Sequence, residues 1–168
     1  MLPAMPSNRR ENGLDDANLR LLAELQQDAR LSFAELGRRV GLSSPAVAER
    51  LARLEEDGVI SGYRAEIDPR AVGYTLGVVI RIRPAPRELR KVAELAQRTP
   101  EVVECHRITG EDCFFMKAYV RDVEHLEEVI DQFAVYGQTT SSIMQTSPVP
   151  GRGVPLWRTP AQTGATRP

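Results

Sequence analysis

The chain has 168 residues, 42% hydrophobic and 27% charged, with a net charge of −1 at pH 7. That is enough chain for one globular domain or two small ones. Residues 1–70 and 71–147 are each slightly acidic, and only residues 148–168, with three Arg and no acid, are basic; nucleic-acid binding by bulk charge is excluded, but a reader using a few placed arginines is not.

Residues 1–13 are polar, with two Pro and a Gly, and read as a loose tail. Leu19, Leu22 and Leu25 then recur at helical spacing, with Asp15 or Asp16 placed to cap, and predict a helix over about 15–28. Ser32 caps a second helix, and Ser32 with Glu35 has the spacing of a capping box. Phe33, Leu36 and Val40 form its apolar stripe, and Gly41 stops it. Ser43 or Ser44 caps a third helix with Pro45 in its first turn, Val47, Leu51 and Leu54 along one face, and Gly58 at its end. Val59, Ile60, Tyr63 and Ile67, around a Ser61-Gly62 turn, read as a small two-stranded wing, and Asp68-Pro69 opens a linker over 68–74.

The second half alternates differently. Residues 75–83 read as a strand, 87–98 as a helix, 102–109 as a strand, Gly110-Glu111 as a tight turn and 112–120 as a strand. A helix over 122–136 and a weaker strand over 139–147 follow. The order is βαββαβ, a ferredoxin-like unit. Residues 149–168, rich in Pro and without periodicity, read as a disordered tail.

Residues 33–52 match a helix-turn-helix by mechanism. Two helices that cross closely need a small residue at the contact, and Gly37 supplies it. The turn needs positive φ, which Gly41 supplies. The third helix then begins with Ser43, Ser44, Pro45 and Ala46, small and polar enough to enter a major groove with backbone N–H groups toward phosphate. Arg50 and Arg53 are placed on the exposed side to reach base edges or phosphates, beside Glu49, while Arg38 and Arg39 suit backbone contact. A plain three-helix bundle with surface arginines is the competing reading.

In the second half, a hairpin about Gly110-Glu111 sets residue 108 opposite 113 and 105 opposite 116. Cys105 then shares a helix-covered face with Val103, Phe114, Met116 and Ala118, and Cys113 shares the other with His106, Ile108 and Phe115. Cysteines on opposite faces do not form an intrachain disulfide. The open face, with Val79, Ile108, Phe115 and Tyr119, is apolar enough to expect a symmetric partner; cover by the chain's own C-terminal tail is the alternative.

These residues resemble the Lrp/AsnC (leucine-responsive, feast/famine) transcriptional regulators over about 14–148. The matching stretches are LDDANLRLLAELQQDARLSFAELGRRVGLS, VAERLARLEEDGVISGYRAEIDP and VVECHRITGEDCFFMKAYV. The resemblance implies an α+β fold, with a winged helix-turn-helix domain over 14–67 and a ferredoxin-like ligand-sensing domain over 75–148. It also implies double-stranded DNA and an amino acid or related metabolite as partners, and homodimers, often assembled into octamers. The effector would sit near Thr109, Gly110, Glu111, Asp112 and Cys113, with hydroxyls from Thr139 and Ser141. The family often has an acid where Cys113 stands, to pair with the effector's ammonium group. Here Glu111 and Asp112 take over that charge, or Cys113 leaves a less polar pocket.

Other chemistry is weakly supported. No apolar run approaches the ~20 residues that cross a bilayer, and MLPAMPSNRRENG has no signal-peptide core, so a cytoplasmic protein without a membrane partner is expected. His106 and His125 lack clustered acids at ligand spacing, so no metal or other cofactor is expected. Asp112 beside Cys113 disfavours a reactive thiolate. No catalytic set can be placed, and no enzyme is expected. The sirohaem decarboxylases, which look like this family, keep an enzyme alternative alive through His106, and an amino-acid sensor that never touches DNA is a third. Trp157 stands alone in the tail, as a docking anchor or as part of a disordered segment.

Overall fold

A computed structural model describes residues 14–149 and 151–156. The described residues divide into two compact units: those up to Arg64 together with those from Val149 onward, and Ala65–Pro148.

The first unit holds three helices, α1 (Asp16–Gln27), α2 (Phe33–Val40) and α3 (Ser44–Glu56). Each begins where the sequence offers a short polar side chain. Asp15 accepts from the Asn18 N–H (2.7 Å), Ser32 from Glu35 (3.2 Å) and Ser43 from Ala46 (3.4 Å), so each cap satisfies one orphan donor of the first turn. The capping box at Ser32 is only half formed, because the Glu35 carboxylate turns to Arg38 and Arg39. Leu21, Leu22, Leu36, Val40, Val47, Leu51 and Leu54 form the core between the helices.

No strand forms between residues 59 and 67, so the expected wing is not a paired hairpin. The physical reason is the lack of anything to cover it. Val59, Tyr63 and Ile67 stay exposed, and an isolated two-stranded hairpin is marginal in water. The Ile60 N–H instead bonds back to the Leu54 carbonyl (3.0 Å), closing the end of α3. Within the expected linker, Asp68 caps a single 3₁₀ turn, Pro69–Val72, by accepting from Arg70.

The second unit runs β1 (Leu76–Pro84), α4 (Leu89–Arg98), β2 (Val102–Arg107), β3 (Phe114–Val120), α5 (Val123–Ala134) and β4 (Gly137–Ile143). The sheet is antiparallel in the order β2-β3-β1-β4. This is the expected βαββαβ unit. Val78, Ile80 and Ile82 of β1 and Phe114, Met116, Ala118 and Val120 of β3 are buried with Val92, Val129 and Phe133 of the helices.

The β2–β3 register is the expected one, with Cys105 opposite Met116 and His106 opposite Phe115. A bulge between Val102 and Glu104 changes what lies beyond it. Val102 takes the place opposite Ala118 and packs on the core, while Val103 is exposed. The expected core position of Val103 is thus corrected. Cys105 is also exposed, because β2 is an edge strand that the helices only partly cover. Cys113 leans on the core cluster rather than lying wholly on the open face. Both cysteines are free thiols, and partial burial pushes the Cys105 thiol pKa up.

Candidate nucleic-acid interface and effector site

The α2–α3 turn has the close contact that its glycines suggest. A Cβ on Gly37 would collide with the Leu42 carbonyl oxygen, and the Leu42 N–H donates to the Gly37 carbonyl (2.8 Å). Gly41 has φ 76°, the left-handed conformation that ends α2. These two residues fix the approach of α3, whose first turn presents Ser43, Ser44, Pro45 and Ala46.

The arginines around that turn are each held by acids. Arg38 makes a two-toothed contact with Glu35 (2.9 and 2.6 Å). Arg39 bridges Glu35 and Glu24 (both 2.8 Å). The two guanidiniums hold the Glu35 carboxyl down at about 2. Arg53 pairs with Glu49 one turn earlier (2.5 Å), and both are well exposed.

Arg50 departs from expectation. It is half-buried, and its Nη1 donates to Asp15 (2.6 Å) and to the Asn18 side chain (2.9 Å), tying α3 to the start of α1. The Asn18 N–H first, and Arg50 second, hold the Asp15 carboxyl below its ordinary range. Its face of α3 is turned toward α1, since it flanks the buried Val47, Leu51 and Leu54. The sequence offered Asp15 and Glu35 only as capping residues, and Asn18 and Glu24 not at all; that they brace arginines comes from the structure. Glu35 with Arg38 and Arg39 was legible as i,i+3 and i,i+4 pairs; Asp15 with Arg50, 35 residues apart, was not.

In the second unit, the β2–β3 turn is fastened to β1. Arg83 Nη2 donates to the Glu111 carboxylate (2.7 Å) and its Nε to the Glu111 backbone carbonyl (3.1 Å). Arg81 lies 3.7 Å from Asp112. The Cys113 N–H donates to the Ile82 carbonyl, and the Ile108 N–H to that of Cys113. Both acids proposed to meet an ammonium group thus already face guanidiniums, and Arg81 and Arg83 are partners the sequence did not reveal.

The two hydroxyl residues lie elsewhere. Thr139 is paired with Ile82 and Ser141 with Ile80, so strand alternation puts them on the helix-covered side. Thr140, opposite Arg81, and Ser142, opposite Val79, share the open side with the arginines. Thr109, Gly110, Glu111, Asp112 and Cys113 are brought together by the turn; Thr139 and Ser141 are not on the same face as the arginines that hold it. The open side carries half-buried Val79, Phe115 and Tyr119, as expected, but Arg81, Arg83, Lys117 and Glu104 lie among them. Among the described residues no cluster of His, Cys, Asp and Glu is placed to hold a metal ion, and no helix is long and apolar enough to cross a membrane.

A helix-turn-helix unit followed by a four-stranded ferredoxin-like unit is the architecture of a ligand-responsive DNA-binding regulator. Residues 14–55 match the AsnC-type helix-turn-helix domain and residues 77–154 the Lrp/AsnC ligand binding domain. The chain belongs to the Lrp/AsnC family of helix-turn-helix transcriptional regulators. It is 37% identical over 134 residues to YezC, an uncharacterized HTH-type transcriptional regulator of Bacillus subtilis, covering 80% of this chain and 95% of that one. The solved structure of B. subtilis LrpC is 30% identical, with a TM-score of 0.78, over 82% of this chain and 99% of that one. A feast or famine regulatory protein of Mycobacterium tuberculosis (Rv3291c), solved in complex with L-methionine, is 32% identical with a TM-score of 0.79, over 84% of this chain and 98% of that one.

Proposed function

We propose that the protein binds double-stranded DNA as a homodimer or octamer, inserting the N-terminal turn of α3 into the major groove, and that an amino acid or related metabolite tunes this binding. The observation that carries the reading is the Gly37–Leu42 contact, which fixes a polar, serine-capped helix end beside exposed arginines. Ser43, Ser44, Pro45 and Ala46 approach the groove. Arg38, Arg39 and Arg53 exchange their carboxylates for phosphates or base edges. Glu49 releases Arg53 on binding, and Arg50 acts by bracing α1 against α3. Bulk charge gives no help, so binding depends on these few cations and weakens steeply with salt.

The effector reading rests on the 109–113 turn. L-methionine in a relative's complex supports an amino acid as the class of ligand. Its ammonium group would meet Glu111 or Asp112, and its carboxylate the released Arg81 or Arg83. Thr139 and Ser141 stand on the far side of the same sheet, so a site that uses them together with the turn draws the two from different copies of the chain. Effector occupancy then shifts assembly by its differential affinity for the two arrangements.

Arg53→Ala tests the DNA half by fluorescence anisotropy on DNA from upstream of the protein's own gene, against random DNA. A base-reading arginine is worth ~1–3 kcal/mol of discrimination. Loss confined to the specific site supports base readout, and equal loss on both DNAs moves Arg53 to the phosphate class. Affinity unchanged in both Arg53→Ala and Arg50→Ala, with no preference over random DNA, would favour a sensor that acts without DNA.

A further inference from the structure

The outer face of α3 carries a second hydrogen-bonding group besides its arginine. Pro45, Glu49, Ala52 and Arg53 are exposed, while Val47, Leu51 and Leu54 are buried in the helical core. The exposed positions recur every three to four residues and so share one face of the helix. Pro45, Ala46, Ala48 and Ala52 offer no side-chain hydrogen bond. The Ser43 hydroxyl is engaged as the cap, accepting from the Ala46 N–H (3.4 Å). Arg50 is braced on Asp15 and Asn18. Glu55 accepts from the Tyr63 hydroxyl (2.8 Å), and Glu56 ends the helix. Beyond the first turn, hydrogen bonding from this face to base edges therefore falls to Glu49 and Arg53.

The two groups are opposite in kind. Arg53 carries donors and no acceptor, and the Glu49 carboxylate carries acceptors and no donor. They satisfy one another across one helical turn, Nη2 to Oε1 at 2.5 Å, with side chains 70% and 65% exposed. Once Arg53 turns to a phosphate or a base edge, Glu49 loses that donor. A charged acceptor left unpaired in a groove emptied of water is costly. The major groove offers it few replacements. Guanine presents N7 and O6, both acceptors, and thymine presents O4 and a methyl group. Adenine has an amino group, but sets the N7 acceptor beside it. Cytosine presents its N4 amino group alone. Cytosine is thus the base that replaces the lost donor without a repelling neighbour.

We propose that Glu49 is a specificity-determining residue, accepting a hydrogen bond from the N4 amino group of a cytosine in the major groove. This role rests on the proposed entry of α3 into that groove, and holds whether Arg53 then takes a phosphate or a base. Glu49 contributes discrimination rather than affinity. Its charge repels the phosphates of any sequence, and only a cytosine in reach offsets that repulsion. Ala48 and Ala52 on either side of it are small, so a base edge can approach the carboxylate closely.

Selection from a pool of randomised duplexes, with the bound fraction sequenced, tests this role without a known operator. The full-length wild type is expected to enrich a motif with a C·G pair that Glu49→Ala no longer prefers, the rest of the motif being kept. Preference for cytosine at that pair should fall roughly tenfold. Glu49→Gln gives a second readout. An amide pairs with adenine N6 and N7, so the same position should turn from cytosine to adenine. Both variants should bind random DNA at least as well as the wild type, because a repelling charge is gone. Their helical circular dichroism should be unchanged, since Glu49 is exposed. A motif enriched by the wild type and kept at every position by both variants would overturn the role of Glu49 while leaving the DNA reading in place. Loss of the whole motif by both folded variants would overturn it equally, since a single base contact does not act on every position. A wild type that enriches no motif would overturn the DNA reading and the role of Glu49 together.

Discussion

Gly37 has no room for a side chain, because its α-carbon faces the Leu42 carbonyl across the helix-turn-helix turn. Gly37→Ala is expected to destabilise the first unit by ~1–3 kcal/mol through overpacking, with a matching loss of DNA binding. Gly41→Ala meets no atom but must hold φ 76°, and is expected to cost ~1–2 kcal/mol. Chemical denaturation of the two variants checks both. At the same scale the arginines divide by role. Arg50→Ala removes a partly buried brace on Asp15 and should lower stability by ~0.5–1 kcal/mol. Arg53→Ala should leave the melting curve unchanged and weaken DNA binding. The reverse assignment would contradict the geometry. Glu35 adds a pH dependence. Its carboxyl is held at about 2, below its ordinary 4.5, so its pairing with Arg38 and Arg39 contributes in full above pH 4.5. The contribution is lost as pH falls from there to about 2. Comparing acid unfolding of the wild type and Glu35→Gln should show a shallower slope in the variant, and high salt should shrink the difference because the pair lies at the surface, with Arg38 well exposed.

At the scale of elements, the caps and periodicity were legible because they are local. Ser32 caps as the sequence placed it, and Asp15 and Ser43 cap as one of the two candidates offered at each of the other helices; Ser43→Ala is expected to cost ~1 kcal/mol measured by thermal unfolding. The β2–β3 register was legible for a similar reason: a short turn at Gly110 fixes the pairing. What failed needed tertiary information. Val59, Tyr63 and Ile67 alternate as a strand would, but no neighbour covers them and no pairing forms. The bulge at Val102–Glu104 has no composition signal, yet it exchanges Val103 for Val102 in the core. Thr139 and Ser141 could be matched by position, but only the pairing with β1 shows that they lie on the helix-covered side.

At the scale of the whole molecule, the sequence separated a helical half from a βαββαβ half and grouped their site residues by motif. The long-range brace from Arg50 to Asp15 and the return of Leu156 to the helical unit were beyond it. The open sheet side, where Val79, Phe115 and Tyr119 lie among charged residues, is the surface we propose for the self-association put forward above. Phe115→Glu places a charge at its centre and should shift the protein toward monomer in sedimentation velocity, while leaving the helical circular dichroism intact. In the proposed function, an amino acid acting at the 109–113 turn changes how α3 engages DNA. The most direct measurement is an anisotropy titration on the upstream DNA with random competitor, adding each amino acid in turn, for the wild type and for Glu111→Ala and Asp112→Ala. The wild type is expected to bind specifically, with one amino acid shifting that binding. Effector-free binding should be retained in both variants, with a weakened response to that amino acid in at least one. No preference over random DNA at low salt would contradict the DNA reading, and a full response in both variants would contradict the site.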